Sequence, residues 1–204
     1  MEKMTVLFQG DSVTDCGRDR ENAEDLGFGY AVMAASEFSA RDPQRNVKFI
    51  NRGISGNRVR DLRSRWQEDC IDLKPDLVSI MIGINDTWRR FDADSITTPE
   101  EYERDYRYIL NEIRTKLPKT KIVLMDPFFL PIGDKEGWRE DLDPRIAIVR
   151  SLAKEFGAVY IPLDGLFAAQ YIISEPEKYS QDGVHPNWTG HAFIADKFLE
   201  YVKL

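Results

Sequence analysis

The sequence predicts an α/β fold, a parallel β-sheet covered by helices on both faces. Short apolar, β-rich runs alternate with longer amphipathic stretches along the whole chain. Such alternation implies right-handed crossovers and parallel strand pairing. One run, Asp76–Ile82, is apolar almost throughout, as a strand buried on both faces must be. The 204 residues carry no repeat and no low-complexity linker, so a single domain over residues 1–204 is expected. A chain of that length buries roughly 70% of its unfolded surface.

Taken in order, Thr5–Phe8 is the first predicted strand, followed after a polar loop by a helix near Tyr30–Ser39. Val47–Asn51 is the second strand. Val59–Cys70 reads as a helix, with Leu62 and Trp66 four apart on one face. After the strand Asp76–Ile82, Pro99 and Glu100 start a helix near Glu101–Lys116 that repeats Tyr102, Tyr106, Ile109 and Ile113 at helical spacing. Lys121–Met125 and Ala158–Ile161 complete five strands, separated by a helix near Pro144–Phe156. The last helix, about Gly190–Val202, carries Ile194, Phe198 and Val202 on one face.

Composition narrows the function classes. The chain is 42% hydrophobic and 31% charged, ordinary for a globular domain and unlike disordered, collagenous or coiled-coil proteins. A net charge of −7 disfavours nucleic acid and anionic membrane as partners. No apolar run approaches the roughly 20 residues that span a bilayer. The longest, around Leu77–Ile84, is broken by Ser79 and Gly83. Met1–Phe8 lacks the apolar core and cleavage site of a signal peptide. Cys16 and Cys70 lie far apart and outside metal-ligand spacing, which suits a reducing compartment. A soluble cytoplasmic protein is expected.

The polar clusters fall where a parallel sheet builds its sites, at the ends of strands. Gly10-Asp11-Ser12 follows the first strand, Asn51-Arg52-Gly53 the second and Gly83-Ile84-Asn85-Asp86 the third. Only two histidines exist, His185 and His191, so any imidazole base is one of them. His185 lies in Asp182-Gly183-Val184-His185-Pro186-Asn187, where an Asp three residues back across a tight turn can bond the ring Nδ1–H. That bond fixes the tautomer and leaves Nε2 free to accept a proton. Ser12 is a candidate nucleophile, exposed by a sharp turn at Gly10; the same segment equally suits Asp11 or Ser12 capping a short helix. It is not a Gly-x-Ser-x-Gly elbow, because Thr14 stands at the second glycine's place. Gly53 can offer an unshielded backbone N–H and Asn85 a side-chain amide to a developing oxyanion. Each residue also has a purely structural reading as a turn glycine or helix cap.

Four blocks in order change the weighing: Gly10-Asp11-Ser12-Val13-Thr14, Asn51-Arg52-Gly53-Ile54-Ser55-Gly56-Asn57, Gly83-Ile84-Asn85-Asp86 and Asp182-Gly183-Val184-His185-Pro186. In these blocks the sequence resembles the SGNH hydrolases, or GDSL esterases, over nearly its whole length. The resemblance implies a three-layer α/β/α, flavodoxin-like domain that hydrolyses esters without a metal or other cofactor. It assigns Ser12 as nucleophile, His185 as base and Asp182 as its orienting acid, with Ser12 N–H, Gly53 and Asn85 as oxyanion donors. Val13 replaces the more usual Leu or Ile.

Within that family, Gly83–Arg90, Asp15-Cys16-Gly17-Arg18 and Gly56–Arg60 resemble the acetylxylan esterases. This makes a small ester, an acetylated xylan-derived or other oligosaccharide, the expected substrate. General carboxylesterase or lysophospholipase activity is the alternative. Asp11, Trp88 and Arg89 are the candidate substrate-binding residues. Trp88 could stack on a pyranose and Arg89 donate to its hydroxyls, or Trp88 could pack under its loop while the arginines pair with Asp92 and Asp94. Trp188 is a second candidate platform. His191 reads as a packing or hydrogen-bonding residue. A catalytically silent sugar-binding protein would be expected to lack Ser, His or Asp, and none is missing. Homo-oligomerisation is compatible with such an enzyme, but no residue fixes a number.

Overall fold

The computed structural model describes residues 4–135 and 137–203. Strands β1 (Met4–Gly10), β2 (Val47–Asn51), β3 (Leu77–Met81), β4 (Lys121–Met125) and β5 (Val159–Ile161) pair in parallel, in the order β2-β1-β3-β4-β5. The helices are α1 (Ser12–Asp15), α2 (Tyr30–Arg41), α3 (Val59–Trp66), α4 (Ile84–Asp92), α5 (Pro99–Lys116), α6 (Trp138–Glu155), α7 (Leu163–Tyr171) and α8 (Trp188–Tyr201). The predicted α/β class and five-stranded parallel sheet are therefore the observed ones.

Alternation along each strand divides the core in two. Val6 and Phe8 of β1, Met81 of β3 and Val123 and Met125 of β4 face Tyr30, Ala34, Phe167, Ile194 and Phe198 from α2, α7 and α8. Leu7, Val78, Ile80, Ile122 and Leu124 face Leu62, Trp66, Tyr106, Ile109 and Val149 from α3, α5 and α6. Both faces are covered, so β3 is buried at every position, as its almost wholly apolar sequence requires.

Where helix boundaries differ from expectation, packing or capping explains the difference. Thr98 accepts from Glu101 N (3.2 Å) and Glu101 Oε2 accepts from Thr98 N (3.0 Å), so Pro99 opens α5 inside a capping box. Pro144 does not start α6; the helix begins six residues earlier and runs through it. A proline inside a helix costs about 3 kcal/mol or more. Buried Trp138 and Leu142, clustered with Ile84, Phe129, Ile146 and Val184, offset that cost. The helix from Val59 ends as regular α-helix at Trp66 and opens into a π-turn over Gln67–Ile71. The short α1, α4 and α7 were not separable from loops by periodicity.

The topology places a crevice. From β1 the chain crosses to β2 on one side and then back past β1 to β3 on the other. Connections leaving the carboxyl ends of β1 and β3 therefore diverge, and this switch point is where open α/β sheets bind ligands. Gly10 and Met81, the last residues of the two strands, are register partners there.

Candidate active site

The first loop past β1 turns at once into α1. Asp11 caps it, accepting from Val13 N at 3.0 Å, and Ser12 is its first residue. The Ser12 N–H therefore has no helical acceptor and remains available. On the opposite rim, Asn187 caps α8 by accepting from Thr189 N (2.9 Å) and Gly190 N (3.1 Å). This fixes the entry to α8, and the preceding turn brings His185 over Ser12.

Ser12 Oγ lies 3.0 Å from His185 Nε2, and His185 Nδ1 lies 2.6 Å from Asp182 Oδ2. The second carboxylate oxygen accepts from His185 N (2.8 Å) and Val184 N (2.9 Å). Burial raises the Asp182 pKa, but the hydrogen bonds from the His185 ring, His185 N and Val184 N outweigh it and hold the carboxyl at about 2. An ionised Asp182 is an acceptor only, so Nδ1 carries the ring proton and Nε2 faces Ser12 as acceptor. Buried Val184 anchors this turn among Phe129, Trp138 and Leu142. Ser180, fully buried, braces it further: its Oγ accepts from Gly183 N (2.9 Å) and lies 2.7 Å from His185 O.

The second and third loops bring the donors, with one correction. Gly53 does not supply an oxyanion N–H, because that group donates to Asn51 Oδ1 at 2.8 Å. A Cβ at Gly53 would come within 2.3 Å of Asp15 N and 2.7 Å of Thr14 C. Gly53 is thus a glycine of close approach, letting the β2 loop dock on α1. Gly56, three residues on, lies in the left-handed region (φ 82°) and lines the cavity at Ser12. No acceptor for the Gly56 N–H exists among the described residues. The signal for Gly56 lay in the Ser-Gly-Asn turn of the same block. Asn85 sits in the first turn of α4 and lines the same cavity. One amide hydrogen of its Nδ2 donates to Asn57 O (3.1 Å), leaving the other free.

Asn51 ties these parts together and was not singled out by sequence reasoning. Buried at the end of β2, its Nδ2 donates to Thr14 O (2.6 Å) and Leu26 O (2.9 Å) while its Oδ1 holds Gly53 N. Asp15 adds a second tie, accepting from Ser55 N (2.9 Å) and Ser55 Oγ (2.8 Å) and pairing with Arg20 at 2.6 Å.

The substrate-binding candidates divide. Asp11 is a second correction: only 2% exposed, it spends its carboxyl on the α1 cap and cannot reach a ligand, and burial pushes its pKa up to about 7. Trp88 and Arg89 line a cavity of about 480 Å³ together with Ser12, Val13, Gly56 and Asn85. The Trp88 ring is packed at 5.7 Å from the His185 ring and 5.3 Å from Trp138, and Arg89 pairs with Asp92. Trp88 is thus a wall of the cavity rather than an open platform. His191 also lines this cavity but makes no hydrogen bond to Ser12. Its Nδ1 accepts from Tyr30 N (3.1 Å) and its Nε2 lies 3.3 Å from Cys16 Sγ, while burial and then the nearby His185 lower its pKa to about 4.

A hydroxyl, an imidazole and a carboxylate in hydrogen-bonded series, beside spare N–H donors at the switch point of a flavodoxin-like sheet, form the arrangement found in the class of α/β serine hydrolases. The comparisons name the family within it. The model of the GDSL-like lipase/acylhydrolase family matches residues 8–193, and the chain belongs to that family of carboxylic ester hydrolases. It is 36% identical to the acetylxylan esterase of Geobacillus stearothermophilus over 97% of this chain and 93% of the relative. It is 28% identical to thioesterase 1/protease 1/lysophospholipase L1 of Escherichia coli K12 over 94% and 80% of the two chains. The crystal structure of the Geobacillus enzyme superimposes with a TM-score of 0.91 at 35% identity, covering 98% and 94% of the two chains. Catalytic mutants of that enzyme replace a serine, an aspartate and a histidine by alanine, the last two lying three residues apart. Among the described residues no helix is long and apolar enough to cross a membrane.

Proposed function

We propose that this chain is a serine esterase that removes short acyl groups, acetyl above all, from xylan-derived or other acetylated oligosaccharides. The observation that carries the mechanism is the 3.0 Å contact of Ser12 Oγ with His185 Nε2, whose tautomer the ionised Asp182 fixes. Ser12 Oγ attacks the ester carbonyl as His185 takes its proton. The oxyanion is held by Ser12 N–H, Gly56 N–H and the free Asn85 amide hydrogen. The tetrahedral intermediate collapses to an acyl-enzyme while His185 protonates the departing alcohol. Water activated by His185 then releases the acid and restores Ser12. The substrate class is supported by the similarity to the Geobacillus acetylxylan esterase across nearly both chains. Trp88 and Arg89 border the reacting carbonyl in this reading.

The test is hydrolysis of p-nitrophenyl acetate, butyrate and octanoate beside acetylated xylo-oligosaccharide. Preference for acetate, with acetate released from the sugar, is expected. Preference for octanoate would move the substrate to longer acyl esters, and binding without turnover would leave a sugar-binding protein. Asn85→Ala is expected to lower kcat on p-nitrophenyl acetate about 100- to 1,000-fold, the loss typical of one oxyanion donor. A loss appearing in KM alone would remove Asn85 from the oxyanion site.

A further inference from the structure

Beyond the cavity that holds the donors, a second one of about 500 Å³ opens on the other side of His185, and nothing in the mechanism uses it. His185 borders both cavities, but Asn85 and Gly56 border only the first, and Gln181, Asp182, Phe28 and Trp188 only the second. The chemistry then orders them. The carbonyl oxygen must lie with the N–H donors. The leaving oxygen must lie where His185 Nε2 can return a proton to it, away from those donors. The alcohol half of the ester therefore leaves by way of His185 into the second cavity.

Two large aromatic rings stand exposed there. Phe28, two residues before α2, is 64% exposed, and Trp188, the first residue of α8, is 70% exposed. Neither ring is spent on the core, whereas the Trp88 ring of the first cavity is packed on two neighbours. Beside these rings lie the exposed Gln181 carboxamide and the Asp182 carboxylate. Both Asp182 oxygens are already engaged by His185 and Val184, but a long alkyl chain would cover the Gln181 carboxamide without pairing it, which is costly. An anionic leaving group would meet the Asp182 charge on a chain of net charge −7. A neutral pyranoside presents C–H faces to the rings and hydroxyls to the amide, and fits both.

We propose that the second cavity is the subsite for the glycosyl leaving group, with Phe28 and Trp188 as its stacking surfaces and Gln181 as a hydroxyl-binding edge. This rests on the substrate reading above and adds where the saccharide sits. Phe28 and Trp188 are specificity residues here and take no part in the bond-making steps.

Both rings are exposed, so the Phe28→Ala, Trp188→Ala double variant keeps its fold, which an unchanged Tm checks. The readout is the ratio of kcat/KM for acetylated xylo-oligosaccharide to kcat/KM for ethyl acetate, whose alcohol is too small to reach either ring. Loss of two aromatic contacts is expected to lower that ratio about tenfold, through a raised KM for the saccharide. An unchanged ratio in an enzyme that does deacetylate the saccharide overturns the subsite and leaves the substrate reading standing. A wild type that cleaves ethyl acetate but not the saccharide overturns the substrate reading instead. Tryptophan fluorescence titrated with unacetylated xylotriose then decides the subsite on its own. A saturable change that disappears in Trp188→Ala supports it, and no change in the wild type overturns it.

Discussion

Ser12→Ala is expected to lower kcat on p-nitrophenyl acetate by on the order of 10⁴- to 10⁶-fold, while Tm shifts by no more than about 2 °C. The two halves of that expectation rest on different atoms. Turnover depends on Oγ, held 3.0 Å from His185 Nε2. Folding depends on Asp11, Val13 and Thr14. Asp11 caps α1 from its own carboxyl, and Val13 packs into the core. Thr14 Oγ1 meets Tyr30 Oη at 3.0 Å. Removing Oγ leaves each of these contacts in place, and the Ser12 N–H donor survives as well. Residual activity over water should therefore remain, carried by the donors and by substrate binding alone. Wild-type turnover by the variant would end the Ser12 assignment. Loss of turnover together with loss of folded signal would mean that the capping of α1 tolerates less than the geometry implies.

How far the sequence could be read follows from what each feature depends on. The strands were legible because burial on both faces leaves an almost wholly apolar run, as in Leu77–Met81 with Ser79 its one polar residue, which no amphipathic helix produces. Asp182 and His185 were legible because their relation is local: three residues and one tight turn decide it. The glycine we propose for the oxyanion site, Gly56, was not. Gly53 and Gly56 stand in the same loop, and choosing between them requires knowing that Asn51 Oδ1 consumes the Gly53 N–H and that α1 backs directly onto Gly53. Neither is visible locally: Asn51 is oriented by its bonds to Thr14 O and Leu26 O, 37 and 25 residues away, and α1 reaches Gly53 only by tertiary docking. Asp11 failed as a ligand-binding candidate for the same reason. Its neighbour Ser12 faces the cavity, but one residue along a helical turn rotates the side chain inward. Pro144 misled because a helix start and a tolerated interior proline differ only in what Trp138 and Leu142 pack against. Tertiary burial, invisible locally, overrode the local rule.

Asp182→Asn carries the second large effect and separates orientation from charge. The amide preserves the shape of the carboxylate, and its oxygen can still accept from Val184 N and His185 N, as Asp182 Oδ1 does at 2.9 and 2.8 Å. Its NH₂ group, however, would face His185 Nδ1 where Oδ2 now lies at 2.6 Å. A donor there favours the tautomer with its proton on Nε2, which cannot take the proton of Ser12. The imidazolium formed during attack also loses its counter-charge. A fall in kcat of about 10⁴-fold is expected, with little change in KM because no substrate contact is removed. The pH dependence of stability follows with a definite sign. Asp182 has its folded pKa depressed from 3.8 to about 2, so it contributes stability above the unfolded value and loses it as pH falls through the folded one. Stability measured by denaturant unfolding should therefore favour the wild type over Asp182→Asn near neutrality, with the gap narrowing between about pH 4 and pH 2. A gap that widened on acidification would contradict the depressed pKa. Full activity in the variant would show that His185 holds its tautomer without Asp182, and the carboxylate would then be a turn-forming residue alone.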